Sequence, residues 1–354
     1  MQATRTIQSI KRSLITLWAA VCLAFAGALT TATAQEIQTA SATTDSEKRF
    51  TIFCITWRGE TDVEAGVRAY IEERNLPFDL IIRSAELDRS NIPALIEEAR
   101  QLQPDLVYTW GTSVTSMTAG THEALDPEKN ILDIPIVFTM VTFPVDSGIV
   151  PSRESSLRNV TGVSHVVPMD TQIKAMRAYM PVDRVAVIYS PTESNSVRNV
   201  EELSQIGEEL DFRVFKFPVP LDGSGKPMAS AVPELVAKAA ETDPQFLYLG
   251  PDSFVGANSE AITREANAAG LPTFTATERM IKTADALYGL VAPYSDVGRL
   301  TARKMEQILV EGRDPASIPI ETLQRFSYQI KIDVARKLDI YPNMSLISYA
   351  EVVQ

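Results

Sequence analysis

The stretch "DLVYTWGTSVTSM", residues 105–117, carries the pattern on which the fold of this chain depends. Its first half is an apolar run of β-branched and aromatic residues, and Gly111 ends that run before a segment that opens with hydroxyl residues. A near-continuous apolar run of this length predicts a strand that is covered on both faces of a sheet. The segment that follows predicts a helix start, so the stretch is typical of one β–α unit.

The same unit recurs along the chain from Phe50 onward. Eight further apolar runs predict strands, and they read "RFTIFCIT" (49–56), "FDLIIR" (78–83), "IPIVFTMV" (134–141), "RVAVIYS" (184–190), "FRVFKF" (212–217), "QFLYLG" (245–250), "LPTFTA" (271–276) and "ALYGLV" (286–291). Repeated β–α units predict an α/β fold with doubly wound parallel sheets. Four strands precede the long connection at 139–168 and five follow it, which favours two lobes.

Helical segments lie between the predicted strands. Apolar residues spaced by three and four form stripes at 92–102, 197–210 and 297–308. Thr61 and Glu64 have the spacing of a capping box, and we expect Asp170 and Ser295 to cap two further helices.

The first 34 residues predict a secretory signal peptide that is cleaved after Ala34. A basic start precedes the apolar stretch "SLITLWAAVCLAFAGAL", and Ala32 and Ala34 occupy the positions that a signal peptidase reads. Cys22 lies inside the apolar stretch, which disfavours the alternative of a lipoprotein. Residues 35–49 are polar and predict a flexible leader. The protein is therefore expected in the periplasm.

The acidic composition of the chain disfavours nucleic acid and anionic membranes as partners. Removal of the three positive charges of the signal peptide takes the formal net charge from −12 to −15, which disfavours binding to nucleic acid and to anionic lipid surfaces. Cys54 is then the single thiol, so no internal disulfide can form.

Candidate ligand-binding residues follow the predicted strands. In open parallel sheets, ligands bind beyond the carboxyl ends of the strands. The turns there are rich in hydroxyls, glycines and carboxylates, and they contain both tryptophans of the mature chain, which suits a small ligand with an apolar part. The candidates are Trp57, Arg58, Trp110, Gly111, Thr112, Ser113, Thr142, Glu193, Ser194, Asn195, Asp252, Ser253 and Glu278.

Each group of candidates has a structural alternative. The hydroxyls at 112–113 and the polar residues at 194–196 could bind an anion at a helix start or simply cap the helix, because both use the same geometry. Asp252 and Glu278 could receive an ammonium group or act as solvated caps. Trp57 and Trp110 could stack on a ligand or belong to the core.

No catalytic, metal or cofactor motif emerges. Residues 111–115 lack the final glycine of a nucleophile elbow, and neither His122 nor His165 has a Ser or Cys partner in the sequence. One thiol and two distant histidines do not make a zinc site. Residues 222–227 faintly echo a phosphate-binding loop, but Pro227 replaces its Ser or Thr, so we interpret them as a surface turn. The chain is not expected to be an enzyme.

Several segments occur in an order that resembles a known family. They are "PDLVYTWGTSVTSM", "DIPIVFTMVTFPVDSGIV", "RNVTGVSHVVP", "RVAVIYSPTESNSV", "AAGLPTFTA" and "EGRDPASIPIE". From Phe50 to the C terminus the chain resembles the ABC transporter substrate-binding proteins of the tryptophan/tyrosine-binding type, a class of periplasmic binding protein. The resemblance implies a type I fold, two lobes joined by a multi-strand hinge. It also implies that "NVTGVS" (159–164) is the first crossing between lobes rather than a glycosylation site.

The resemblance also implies a function. Lobe 1 would comprise 50–160 plus about 291–320, and lobe 2 would comprise 161–290 plus about 321–354. A monomer would capture a small ligand between them, an amino acid or related carboxylate that could be aromatic, and deliver it to an ABC permease in the inner membrane. Our hypothesis is that Thr112, Ser113 and Thr142 hold it from one side, that Ser194, Asn195 and Asp252 close over it from the other, and that Arg58 pairs with its carboxylate. The alternatives are a sensory module that reports to a membrane kinase and, less favoured, an exported α/β enzyme.

Overall fold

The computed structural model describes residues 48–353, and they form two α/β lobes built on separate sheets. The predicted signal peptide, and the predicted leader up to residue 47, lie outside the described residues. Within 48–353, no helix combines the length and the apolar composition that crossing a membrane requires.

The first sheet has five parallel strands in the order β2-β1-β3-β4-β5. Their bounds are Phe50–Thr56 (β1), Phe78–Ser84 (β2), Leu106–Trp110 (β3), Ile136–Thr139 (β4) and Val160–Gly162 (β5). The second sheet has seven strands in the order β12-β11-β10-β9-β8-β6-β7. These are Arg184–Tyr189 (β6), Arg213–Pro218 (β7), Phe246–Leu249 (β8), Thr273–Thr275 (β9), Tyr288–Val291 (β10), Ser327–Ile330 (β11) and Glu351–Val352 (β12).

All nine predicted strands are present, and the fold prediction of two doubly wound lobes is confirmed. Three short strands were not predicted as strands: β5, β11 and β12 have four residues or fewer and carry no long apolar run. The second sheet also departs from a purely parallel pattern, because β11 runs antiparallel to β10.

Twelve α-helices cover the two sheets within the described residues. They are Asp62–Arg74 (α1), Ile92–Leu102 (α2), Thr112–Ala119 (α3), Met169–Tyr179 (α4), Ser194–Glu209 (α5), Val232–Glu241 (α6), Ser253–Ala257 (α7), Ser259–Ala268 (α8), Glu278–Lys282 (α9), Tyr294–Leu309 (α10), Ile332–Leu338 (α11) and Met344–Ile347 (α12). The three predicted apolar stripes fall on α2, α5 and α10.

One predicted cap is confirmed and two are wrong. The amide of Val63 donates to Thr61 Oγ1 at 3.2 Å, and the amide of Thr61 donates to Glu64 Oε2 at 2.7 Å, which completes the capping box. Asp170 and Ser295 do not cap, because α4 and α10 each begin one residue earlier, directly after a proline. Asp170 instead lies in the first turn of α4 and pairs with Lys174 at 2.8 Å.

The helix α10 returns the chain to the first lobe. Its buried face joins a core made by the first sheet, whereas the second sheet has a separate core on each face. α10 packs on α1 at glycines: a Cβ on Gly298 would overlap the backbone oxygen of Val63, and one on Gly66 would overlap that of Ser295. Only glycine permits so close an approach of two helices.

Three segments connect the lobes. The chain leaves the first sheet after β5, returns to that lobe between β10 and α10, and leaves it again between α10 and β11. The first and third crossings run side by side, since the Ser164 amide donates to the Glu321 oxygen at 2.8 Å and Thr161 Oγ1 donates to the Ile318 oxygen at 2.8 Å. The residues at which we place the boundaries between the two lobes stay a prediction.

Candidate ligand-binding cleft

A cavity lies where the carboxyl ends of strands from both sheets meet. It holds about 570 Å³ of empty space, part of it open to solvent. The turns after β1, β3 and β4 line it from the first lobe, and those after β6, β8 and β9 line it from the second. Eleven of the thirteen candidate residues lie there: Trp57, Arg58, Trp110, Gly111, Thr112, Ser113, Thr142, Glu193, Asn195, Asp252 and Ser253.

Two glycine turns shape the first-lobe wall. Gly59 and Gly111 have φ of +86° and +85°. This region of positive φ favours glycine, because a residue with a Cβ would be strained there. Gly111 is the N-cap of α3, and neither Thr112 nor Ser113 caps that helix through its side chain. Thr112 Oγ1 is buried and has no hydrogen-bond partner among the described residues. The Thr112 and Ser113 hydroxyls therefore do not cap the helix.

The Arg58 guanidinium lies within the cavity. Its central carbon is 5.2 Å from the centroid of the Trp110 ring, a cation–π contact. It also reaches the second lobe, since a Cβ on Gly256 in α7 would be 3.5 Å from Arg58 Nη1. Burial lowers the pKa of Arg58. Because the ordinary pKa of arginine is far above neutral, the guanidinium carries its charge at pH 7. A second guanidinium, that of Arg279 in α9, lines the same cavity.

Asp252 ties the second-lobe wall together. Its Oδ2 accepts from the Ser190 amide at 2.6 Å and from Ser196 Oγ at 2.5 Å, and its Oδ1 accepts from the Val255 amide at 2.9 Å. It therefore caps α7, but as a buried group rather than a solvated one. Burial raises its pKa, while the three donors oppose that shift. Its main role is to position the turns after β6 and β8.

Glu193 is the other acidic side chain of the cavity. Its Oε2 accepts from the Ser253 amide at 3.1 Å, so one oxygen is committed to the protein. Burial, and secondarily the charge of Asp252, raise the pKa of Glu193 to about 7. Asn195 binds the adjacent turn in a similar way, donating from Nδ2 to the Pro251 oxygen at 2.8 Å.

Several buried polar atoms belong to residues that line this cavity and have no hydrogen-bond partner within residues 48–353. They are Trp57 Nε1, Arg58 Nε, Trp110 Nε1, Thr112 Oγ1, His165 Nδ1 and Arg279 Nε. Buried polar groups in folded proteins are nearly always partnered, by protein, water or ligand. Burial lowers the pKa of His165 to about 4, so the imidazole is neutral at pH 7. The cavity thus presents polar groups that remain available to a ligand.

Two candidates are not brought into this cavity. Ser194 is exposed and lines a separate surface depression beside Asp146. Glu278 is buried next to an adjoining hollow, where it accepts from the Tyr294 amide at 2.7 Å and from Lys282 Nζ at 2.8 Å. The Ser194 hydroxyl therefore does not face the cavity, and Glu278 is a buried, partnered carboxylate rather than a solvated cap.

Other lining residues were not predicted as site residues: Met140, His165, Arg279, Met280 and Tyr294 are the clearest cases. Arg279 directly follows a candidate turn, so extension of that turn by one residue would have found it. His165 and Tyr294 lie on the crossings between lobes, and only the predicted hinge position points to them. Among residues 48–353, no three His, Cys, Asp or Glu side chains are grouped as metal ligands.

Comparisons with known proteins agree with this architecture. The chain superposes with a TM-score of 0.75 on a conserved domain protein from Vibrio cholerae, at 21% identity over 87% of this chain and 100% of that one. It superposes with a TM-score of 0.74 on the ABC domain from Streptococcus pneumoniae in complex with L-Trp, at 20% identity over 87% of this chain and 100% of that one. These matches establish the two-lobed binding-protein fold.

Sequence comparison identifies the family. A protein of Clostridioides difficile called a tyrosine-binding protein is 24% identical over 274 residues, which are 77% of this chain and 73% of that protein. A family model described as ABC transporter substrate binding protein matches residues 77–354. The chain therefore belongs to the ABC transporter substrate-binding proteins, a family of binding proteins and not of enzymes.

Proposed function

We propose that this protein is a periplasmic solute-binding protein that captures a small carboxylate ligand with an aromatic part and delivers it to an ABC importer in the inner membrane. The observation that carries the proposal is the cavity between the lobes, which is lined by Arg58, Arg279, Trp57 and Trp110, with the Arg58 guanidinium over the Trp110 ring. A guanidinium binds a carboxylate through two parallel hydrogen bonds, and an indole offers a flat apolar surface. Relatives named for tyrosine and solved with L-Trp support an amino acid or a related carboxylate.

Closure of the lobes is the proposed mechanism. Three ion pairs join the lobes around the cavity: Arg198 to Asp146 at 3.0 Å, Lys282 to Asp62 at 3.1 Å, and Lys226 to Asp88 at 3.7 Å. All three are solvent-exposed, and such pairs contribute about 0–1 kcal/mol each. Ligand contacts to both walls would therefore supply most of the free energy that favours the closed shape, and the permease would recognise that shape.

The test begins with binding. The protein is purified after export, freed of bound ligand by unfolding and refolding, and titrated with amino acids, aromatic acids, small peptides and dicarboxylates. Intrinsic fluorescence reports on Trp57 and Trp110, and thermal melting reports on stabilisation by ligand. A saturable fluorescence change with a raised melting temperature is expected for a carboxylate. No response to any carboxylate in the panel would contradict the proposal.

Delivery needs a second assay. The loaded protein is added to proteoliposomes that contain the candidate permease and its ATPase, and hydrolysis of ATP is measured with and without ligand. Stimulation that requires the loaded protein is expected. Binding without stimulation of any permease of the same organism would instead favour a sensory role.

A further inference from the structure

Among the buried side-chain atoms of the cavity that have no partner in residues 48–353, those that can only donate outnumber those that can also accept, which are Thr112 Oγ1 and His165 Nδ1. Four of its buried atoms without a partner in residues 48–353 can only donate: Trp57 Nε1, Trp110 Nε1, Arg58 Nε and Arg279 Nε. Both tryptophans are more than nine-tenths buried, with exposures of 8% and 7%. Solvent therefore has little access to these N–H groups, and a ligand that brings acceptor atoms to them would supply the partners that they lack.

The acidic side chains of the cavity do not balance these donors. Both oxygens of Asp252 are occupied by three donors from the protein. Glu193 has one oxygen committed to the Ser253 amide. Two guanidiniums thus face one carboxyl group that has a single uncommitted oxygen, so the cavity favours a ligand that brings negative charge and acceptor oxygens.

An α-ammonium group fits this set of atoms poorly. It brings three further donors and a positive charge into a cavity that already holds two guanidiniums, and the side-chain acceptors left for it are one oxygen of Glu193, Thr112 Oγ1 and, in one tautomer, His165 Nδ1. A keto oxygen or a second carboxylate in its place would accept from the unpartnered N–H groups. The two indoles suit an aromatic ring on the same molecule.

From this pattern, and resting on the proposed binding function, we infer that the ligand is an aromatic organic acid without an α-ammonium group, with a keto oxygen or a second carboxylate beside the first. This ligand class differs from the tyrosine and L-Trp of the relatives. The difference lies in the donor-rich wall made by Trp57, Trp110 and the two arginines.

The decisive experiment compares ligands that share one ring and one carboxylate. Calorimetric titration of the exported protein uses L-phenylalanine, phenylpyruvate and benzylsuccinate, with L-tyrosine and L-tryptophan alongside. Phenylpyruvate or benzylsuccinate is expected to bind at least tenfold more tightly than L-phenylalanine. Equal or tighter binding of the amino acids would overturn this inference and leave the proposed function intact. Binding of none of the five compounds would overturn this inference, and the proposed function would then be decided by the wider panel of carboxylates.

A variant distinguishes the two ligand classes independently. Glu193→Gln keeps the shape of the side chain and removes its charge, with Glu208→Gln, exposed on the helix α5 that directly follows Glu193, as the matched control. If the ligand is an acid without an ammonium group, Glu193→Gln is expected to tighten phenylpyruvate binding several-fold at pH 8, above the Glu193 pKa of about 7, because a nearby negative charge is lost. A loss of L-phenylalanine affinity in Glu193→Gln but not in Glu208→Gln, without tighter binding of phenylpyruvate, would show that Glu193 pairs with the ammonium group and would contradict the inference.

Discussion

Replacement of Arg58 by alanine gives the sharpest test of the binding site. The side chain starts in the first lobe, lies over the Trp110 ring and reaches Gly256 in the second lobe. Its Nε is buried and has no partner within the described residues. In the proposed function, this charge would meet the ligand carboxylate between the two lobes. Truncation removes this contact and leaves the rest of the cavity in place.

The expected loss of binding free energy depends on how deeply Arg58 is buried. Removal of one member of a buried, hydrogen-bonded charge pair weakens binding by about 2–5 kcal/mol. Arg58 is half-buried rather than fully buried, so the lower half of that range applies, about 2–3 kcal/mol. Since about 1.4 kcal/mol is a factor of ten, the Kd is expected to rise by roughly 30- to 150-fold.

The ligand-free protein responds differently. Loss of the cation–π contact with Trp110 destabilises it by about 0.5–2 kcal/mol, while loss of a partly buried charge without a carboxylate partner offsets part of this. The free energy of unfolding is therefore expected to change by no more than about 1 kcal/mol. The signature is a large loss of affinity with nearly unchanged stability, which a general folding defect does not produce.

Calorimetric titration and urea unfolding measure the two quantities on the same sample. Arg264→Ala is the matched control, because Arg264 is exposed on α8 and pairs only with its neighbour Glu265 among the described residues. The control should change neither quantity. A Kd for Arg58→Ala within threefold of the unmodified protein would refute the role given to this residue.

Three further predictions concern packing, closure and pH. Gly298→Ala should lower the free energy of unfolding by about 2–3 kcal/mol in urea denaturation, because the new methyl group overlaps the Val63 oxygen of α1. Arg198→Ala should raise the Kd by at most about fivefold without any contact to ligand, because it removes one exposed ion pair between the lobes. For the ligand-free protein, stability should fall as pH rises from 5 to 8. The folded pKa of Glu193 is about 7, above its ordinary value of 4.5, so protonation favours the folded state until pH passes through 7. In Glu193→Gln this slope should shrink.

Each of these predictions has a control and an opposing outcome. Gly223→Ala, where a Cβ meets nothing within 4 Å, should stay within about 0.5 kcal/mol, and a stabilised Gly298→Ala would show that the helices can separate freely. Arg336→Ala, which removes an exposed pair inside the second lobe, should leave the Kd unchanged, whereas a hundredfold effect of Arg198→Ala would imply direct ligand contact. An unchanged pH slope in Glu193→Gln would assign the titration to other groups.

The sequence was sufficient for the lobes and for most of the cavity wall. Strand runs such as 105–110 are recognisable because burial on both faces demands continuous apolar residues, a local property of the chain. The strand-end turns could be named because parallel sheets bring all their carboxyl ends to one edge. Short strands such as β5 and β12 were not predicted, because two or three residues carry no periodic signal. They become strands only because they pair with the edge of an existing sheet.

What each candidate side chain does was decided by the tertiary structure alone. Ser194 and Asn195 are adjacent in sequence, but successive helix positions differ by about 100° in direction, so one faces solvent and the other faces the cavity. Asp252 is occupied by donors from two other elements, which no local pattern reveals. His165 enters the site only because the crossing between the lobes passes beside the cavity. Periodicity along the chain determines elements and edges, whereas hydrogen-bond partners and facing walls depend on contacts between residues far apart in sequence.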